Sequence, residues 1–140
     1  MEIPSDRFYT KTHEWVKIYE NKAIIGITSY AVEQLGDITF LEVRPIGTRV
    51  RKGERIGVVE SSKTTEKIYA PVSGEIAEIN REAGVTEEGS SEVPIGLEKI
   101  TQDPYGEGWI VALIIGEEAP SELSDLMKAE EYAKYVEESH

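Results

Sequence analysis

Residues 58–71 read Val-Val-Glu-Ser-Ser-Lys-Thr-Thr-Glu-Lys-Ile-Tyr-Ala-Pro, with one lysine, Lys63, between two strand-like runs. The run Arg55–Val59 is rich in branched apolar residues, and Ile68–Ala70 returns to apolar character before Pro71. The polar segment of about six residues between them predicts a β-hairpin with Lys63 at an exposed tip. A lysine in such a tip is usually only solvated, so spacing alone leaves open whether Lys63 is an attachment point.

Further short strands are predicted on both sides of this hairpin. His13–Tyr19 alternates polar and apolar residues and turns into Ala23–Ile27, which predicts a first hairpin. The other predicted elements are a short helix over 29–35 that ends before Gly36, a strand over Asp37–Val43, and a buried central strand over Gly108–Ile115. Short strands at close spacing favour a mainly β fold, either a compact barrel or a sandwich.

The end of the chain has a different pattern. Residues 81–104 predict a long loop with at most a short helix around Glu98. One or two amphipathic helices are predicted over 120–138, packed on the β core, with Ser121 as the N-cap. Their apolar stripes are Leu123, Leu126 and Met127, followed by Tyr132, Tyr135 and Val136.

Composition limits the functional classes. A chain of 140 residues suits a single domain over 1–140, and zero cysteines exclude disulfides, thiolate metal sites and cysteine nucleophiles. The net charge of −12 argues against nucleic acid and anionic membrane as partners, since residues 71–140 carry 17 acids against 4 bases. Without a signal-peptide pattern or a long apolar run, we expect a cytoplasmic protein.

No pattern in the sequence predicts an enzyme. There is no glycine-rich phosphate loop, metal-ligand pattern or serine nucleophile elbow, and the two histidines are His13 and the terminal His140. We therefore expect no catalytic residue and no metal site. A lone His13 beside Glu14 is more often structural than catalytic.

Several strings closely resemble the H protein family of the glycine cleavage system, in that family's order over roughly residues 7–138. They include Glu60-Ser61-Ser62-Lys63 and the following segments: Tyr9–Trp15, Gly26–Ala31, Gln34–Ile38, Tyr69–Glu75, Asp103–Trp109, Pro120–Leu123 and Ala129–Tyr132. The resemblance implies a lipoyl-domain-like fold, a flattened β-barrel or sandwich (barrel-sandwich hybrid), with C-terminal helices.

The same resemblance implies a carrier function that overrides the plain interpretation of Lys63. It implies that Lys63 carries lipoic acid in amide linkage, which supplies the redox sulfur that a cysteine-free chain lacks. The arm would shuttle the aminomethyl group of glycine between glycine decarboxylase (P protein), aminomethyltransferase (T protein) and dihydrolipoamide dehydrogenase (L protein). The chain would be a non-catalytic, monomeric carrier that is also recognised by a lipoylating enzyme.

The resemblance also implies roles for four other residues. Glu60 resembles the acidic signal for the lipoylating enzyme, and Glu14 resembles the acid that meets the amine of the loaded arm. Leu35 and Thr64 stand where the family lays the arm in a surface cleft. Ordinary packing or surface roles remain the alternative for each.

Two residues near Lys63 depart from the family pattern, which usually has an apolar residue before the lysine and an aspartate four after it. This chain has Ser62 and Lys67 there, with Glu66 as a substitute acid, and the segment between Asn80 and Asp103 looks about ten residues longer than usual. These departures leave an alternative open, namely that the chain is an H-like lipoate-binding protein of another pathway. That pathway would be either sulfur-compound oxidation with a heterodisulfide-reductase-like complex or lipoyl relay. An unmodified interaction module is a third reading, while the flanking Ser62 and Thr64 argue against a biotin carrier, which usually has methionines there.

Overall fold

Ten short strands and four α-helices make up the computed structural model, which describes residues 1–139. The strands are β1 Phe8–Tyr9, β2 Glu14–Tyr19, β3 Lys22–Ile27, β4 Ile38–Val43, β5 Arg49–Val50, β6 Arg55–Ser61, β7 Thr65–Tyr69, β8 Gly74–Ile79, β9 Thr86–Glu87 and β10 Val111–Ile114. The helices are α1 Ser29–Leu35, α2 Glu98–Gln102, α3 Ala119–Leu123 and α4 Ala129–Glu138.

The strands form two sheets. One has the order β1-β2-β3-β10-β8-β5, and the other has the order β7-β6-β4-β9. All pairings are antiparallel except that of β4 with β9. The prediction of a mainly β, sandwich-like fold is therefore confirmed, whereas over the described range the sheets do not close into a barrel.

Apolar side chains from both sheets form the main core. Side chains alternate between the two faces of each strand, and the inward faces of the two sheets supply this core. The largest fully buried aliphatic residues within the strands are Ile25, Leu41, Ile56, Ile68, Ile76 and Leu113. As predicted, β10 lies in the middle of the six-stranded sheet, between β3 and β8.

Helix α1 begins and ends as the sequence predicts. Thr28 is its N-cap, and the Thr28 hydroxyl accepts a hydrogen bond from the Ala31 amide at 3.3 Å. Gly36 follows the helix with a φ of 76°, a conformation that side chains with a Cβ rarely adopt. The connection from α1 into β4 is therefore a sharp turn.

Residues 81–104 contain more regular structure than the predicted loop. A 3₁₀ turn over Arg81–Ala83 precedes β9, and α2 confirms the short helix expected near Glu98. Strand β9 is only two residues long, which is too short to show the alternation of polar and apolar residues that predicts a strand. It forms because the chain returns beside β4, where the buried Thr86 hydroxyl donates to the Leu41 carbonyl at 3.1 Å.

The C-terminal helices differ from the prediction in their boundaries. Helix α3 begins at Ala119, so Ser121 lies inside it and is not an N-cap. Its hydroxyl instead donates to the Glu118 carbonyl, a local bond that serine makes readily within a helix. Met127 lies outside both helices and pairs with Tyr9 as an isolated bridge, so the Leu123, Leu126 and Met127 stripe does not belong to one helix.

Helix α4 packs through an aromatic cluster. The fully buried rings of Tyr9 and Tyr132 stack with their centroids 4.8 Å apart, and Trp15, Tyr105 and Val136 complete the buried cluster. The predicted burial of Tyr132 and Val136 is confirmed, whereas Tyr135 of the same predicted stripe is only partly buried. No helix within residues 1–139 is both long and apolar enough to cross a membrane.

Candidate functional site

Lys63 stands at the tip of the hairpin formed by β6 and β7. The Ser61 amide donates to the Thr64 carbonyl at 2.9 Å, so only Ser62 and Lys63 lie beyond the last backbone pair. The Ser61 hydroxyl also accepts from the amides of Lys63 at 3.2 Å and Thr64 at 3.3 Å. The tip is therefore shorter than the six residues predicted, because the polar residues on both sides continue the strands.

The tip is attached to the turn that follows α1. The Ser62 amide donates to the Asp37 carbonyl at 3.1 Å. A Cβ added at Gly36 would lie 3.5 Å from Cε and 3.8 Å from Nζ of Lys63, which shows that the lysine side chain runs past this glycine. Lys63 is exposed, and its ammonium group makes no ion pair within the part of the chain that is described.

A cleft of about 680 Å³ lies beside the tip. Helix α1 forms one wall, and strand β7 with its preceding Thr64 forms another. The segment that leads into β2 and single residues of β3 and β6 complete the lining. Its apolar lining residues are Ile27, Ala31, Leu35, Val59 and Ile68, and its charged lining residues are Lys11, Glu14, Glu66 and Lys67. The cleft is thus apolar along much of its length and carries ionic groups at particular points.

Glu14 places a buried carboxylate in this cleft. The side chain is 1% exposed, and its Oε1 accepts from the hydroxyls of Thr10 and Thr12, each at 2.5 Å. Its Oε2 accepts from the Tyr69 amide of β7 at 3.0 Å. Burial raises the pKa of Glu14, and the three hydrogen bonds oppose that rise. A buried acceptor of this kind matches a cationic donor.

The structure brings most of the residues that the sequence singled out to one place. Glu14, Leu35 and Thr64 all line the cleft, and Lys63 stands beside it on the adjoining turn. Glu60 is different, because it is exposed on β6 and does not line the cleft. The two departures from the family pattern also differ, since Lys67 lines the cleft and Ser62 does not.

Sequence reasoning missed two threonines of the site and assigned His13 only a structural role. The hydroxyls of Thr10 and Thr12 hold the Glu14 carboxylate, and His13 lines the cleft beside α1. His13 has a φ of 71°, which is uncommon for a residue with a side chain. The alternating threonines before Glu14 were the available signal, but they indicate a carboxylate cradle only once Glu14 is known to be buried.

Comparison with known proteins identifies the family. A family model described as glycine cleavage H-protein matches residues 7–139. The chain belongs to the glycine cleavage H-protein family. A relative named probable glycine cleavage system H protein, from Korarchaeum cryptofilum, is 74% identical over 140 residues, which is 100% of both chains.

More distant H proteins match over similar lengths. A glycine cleavage system H protein of Thermus thermophilus is 44% identical over 141 residues, covering 98% of each chain. The crystal structure of an H protein from Mycobacterium marinum superposes with a TM-score of 0.77 at 38% identity, covering 94% of this chain and 97% of that one. Members of the H-protein family are lipoate-bearing carrier subunits of glycine cleavage. None of these relatives is named for sulfur-compound oxidation or lipoyl relay.

Proposed function

We propose that this chain is the lipoyl carrier of the glycine cleavage system and that Lys63 bears lipoic acid in amide linkage. The observation that carries the proposal is the placement of an exposed lysine, with no ion pair among residues 1–139, on a short hairpin tip beside a cleft of about 680 Å³. Family membership supports the carrier role. The lipoyl group would supply a dithiolane in a chain without cysteine.

The cleft residues fit such an arm in both shape and chemistry. The apolar side chains of Ile27, Ala31 and Leu35 offer surface to an aliphatic chain, and Thr64 lies where the arm would enter beside Lys63. The buried Glu14 carboxylate offers an acceptor for the ammonium of the aminomethyl cargo. We infer that the chain orients the arm and shields its cargo from water.

The hairpin itself supports recognition by a lipoylating enzyme. The backbone and hydroxyl bonds at Ser61 hold the tip in one shape, so the enzyme meets a preformed target. Glu60 is exposed one residue before that bonded turn, where an approaching protein can contact it. We propose Glu60 as part of the recognition surface and not of the cleft.

The proposed partners follow from the carrier role. They are glycine decarboxylase, aminomethyltransferase and dihydrolipoamide dehydrogenase, which would use the arm in turn while the chain itself performs no catalytic step. We propose that the carrier acts as a monomer. Its cytoplasmic location stays a prediction from the sequence.

Lipoylation is tested by the intact mass of the chain produced in a lipoylating host. We expect one lipoyl group on the wild type, complete loss in Lys63→Arg and retention in Lys67→Arg. Lys67 is the matched control because it is an exposed lysine of the same hairpin. An unmodified wild type in the presence of lipoate and active lipoylating enzymes would contradict the assignment of Lys63.

The pathway is tested separately with the lipoylated chain. We expect glycine-dependent exchange of carbon dioxide with the decarboxylase from the same organism, and no exchange with Lys63→Arg. A lipoylated chain that supports no exchange with a competent decarboxylase would contradict the glycine-cleavage role, leaving the lipoyl attachment intact.

A further inference from the structure

A chain of hydrogen bonds connects α1 to the His13 ring in the cleft. The Ala31 amide donates to the Thr28 hydroxyl at 3.3 Å, and the Thr28 hydroxyl lies 2.7 Å from the Tyr132 hydroxyl. The Tyr132 hydroxyl in turn lies 2.7 Å from Nδ1 of His13. Both Thr28 and Tyr132 are 0% exposed, so water does not satisfy either hydroxyl.

Burial fixes the direction of the protons in this chain. Thr28 Oγ1 already accepts the Ala31 amide, and the only acceptor left for the buried Thr28 proton within the described residues is the Tyr132 oxygen. The Tyr132 proton must then go to Nδ1 of His13. The reverse direction would leave the Thr28 proton buried without an acceptor, which costs the full desolvation of that group.

His13 is therefore neutral, with its proton on Nε2. An imidazole that accepts at Nδ1 carries hydrogen at the other nitrogen. Burial also lowers the pKa of His13, which agrees with a neutral ring. Nε2 makes no hydrogen bond within the described residues, and no fully buried side-chain nitrogen or oxygen there lacks a partner. Nε2 is therefore not fully buried.

The ring is held rigidly at the cleft. It lies between Tyr30 of α1, with centroids 4.5 Å apart, and Tyr132 and Tyr135 of α4, at 5.8 and 5.9 Å. The Thr28 amide donates to the His13 carbonyl at 3.0 Å and supports the left-handed backbone. Glu14 is the next residue and lines the same cleft, so the lining of one cleft includes both a neutral N–H donor and a carboxylate acceptor.

We propose that His13 is a positioning residue of the carrier, donating its Nε2–H to a sulfur atom at the end of the lipoyl arm. This inference rests on the proposed function. The ammonium of the cargo can donate to the Glu14 carboxylate, and the lone pairs of the adjacent lipoyl sulfur can accept the Nε2–H of His13. Helix α4 contributes because it positions Tyr132, whose hydroxyl bonds Nδ1 of His13. That bond selects the tautomer of His13, which lines the cleft.

The tautomer is tested first in the unlipoylated chain by nitrogen-15 NMR of the imidazoles. We expect His13 to show a protonated Nε2 and an unprotonated Nδ1 at neutral pH, with His13→Asn identifying its signals against those of His140. Asparagine suits this control because it tolerates a positive φ. A protonated Nδ1 would overturn the proposal.

Two tyrosine variants make a matched pair for the same measurement. Tyr132→Phe removes the hydroxyl that donates to Nδ1, so we expect both tautomers to appear. Tyr135→Phe removes a hydroxyl of the same helix that bonds the Lys11 carbonyl at 3.0 Å, and we expect the Nε2–H form to persist. Both variants are checked for folding by their backbone amide spectra. Equal spectra for His13 in wild type and a folded Tyr132→Phe would overturn the proposed chain.

The contact with the arm is tested by lipoylating the chain and loading it with the aminomethyl cargo. We expect exchange of the Nε2 proton with water to slow roughly fivefold, as one net hydrogen bond gives. If mass confirms the loaded arm and exchange is unchanged, the role of His13 is wrong while lipoylation stands. If no arm attaches, the proposed function fails, and the tautomer measurement remains a separate result.

Discussion

The Glu14 carboxylate is the clearest case in this molecule of a side chain whose pKa is determined by its surroundings. It is an acid with 1% exposure, yet every oxygen has a donor, from two threonine hydroxyls and the Tyr69 amide. Desolvation is the largest influence on its pKa and raises it. The folded protein therefore holds a proton on Glu14 more tightly than the unfolded chain does.

The raised pKa predicts a pH-dependent difference between wild type and Glu14→Gln. Below the ordinary pKa of 4.5 both states of the wild type are protonated, so the stabilising contribution of the raised pKa is fully present. As the pH rises through the folded pKa, that contribution is lost, and the wild type should lose stability relative to the glutamine variant. Denaturant unfolding of both proteins between pH 4 and neutrality measures the difference.

Glu60→Gln is the control, because it also removes one negative charge from this acidic protein and shows how much that loss alone changes the stability. Glu60 is exposed on β6, so it shares the hairpin but not the burial of Glu14. A stability difference between wild type and Glu14→Gln that grows in favour of the wild type as pH rises would contradict the raised pKa.

At the scale of elements, the short strands depend on tertiary contacts more than on their own patterns. Strand β9 has two residues and pairs with β4 as the only parallel neighbours of the described sheets. The Thr86 hydroxyl supports this edge through its buried bond to the Leu41 carbonyl. The edge is held by specific bonds, because two residues bury too little apolar surface to hold it alone.

Thr86→Val should lower the free energy of unfolding by about 1 kcal/mol, since valine keeps the shape and removes the donor to a buried carbonyl. Thr39→Val is the matched control, because the Thr39 hydroxyl bonds the Glu60 carbonyl at 3.3 Å on an exposed surface and should contribute much less. Urea unfolding midpoints at a constant m-value measure both changes. Equal effects of the two substitutions would contradict the role given to Thr86.

At the scale of the whole molecule, the aromatic cluster connects the two ends of the chain to the β core. The guanidinium of Arg7 lies 4.6 Å from the centroid of the Trp15 ring and donates to the Tyr105 carbonyl at 3.0 Å. The Trp15 indole donates to the Pro104 carbonyl at 3.0 Å, and Tyr132 brings α4 onto Tyr9. We propose on this basis that the chain is one domain and that its C-terminal helices are part of it.

One domain predicts one cooperative unfolding transition. Tryptophan fluorescence reports the aromatic cluster, because Trp15 is buried in it and Trp109 packs against it, while far-ultraviolet circular dichroism reports mainly the strands. We expect both signals to share one midpoint and one m-value in urea. A fluorescence transition that clearly precedes loss of the strand signal would show that the helices and aromatic cluster unfold as a separate unit.

Several elements of the fold could be predicted from local patterns in the sequence. The hairpin around Lys63 and the helix between Ser29 and Gly36 are both encoded within short segments, because apolar alternation, polar tips and glycine ends act on neighbouring residues. The helix start at Ala119 and the strand β9 were not predictable in this way, since they depend on what the chain meets when it returns to the core.

By itself, the sequence determined the mainly β class, the exposed hairpin lysine and the residues that resemble one carrier family. Only the tertiary structure decided the chemistry of the cleft. The Glu14 carboxylate meets an amide 55 residues away, and Nδ1 of His13 meets a hydroxyl 119 residues away. Burial and proton direction follow from these long-range contacts, which exist only once both sheets and α4 have packed together.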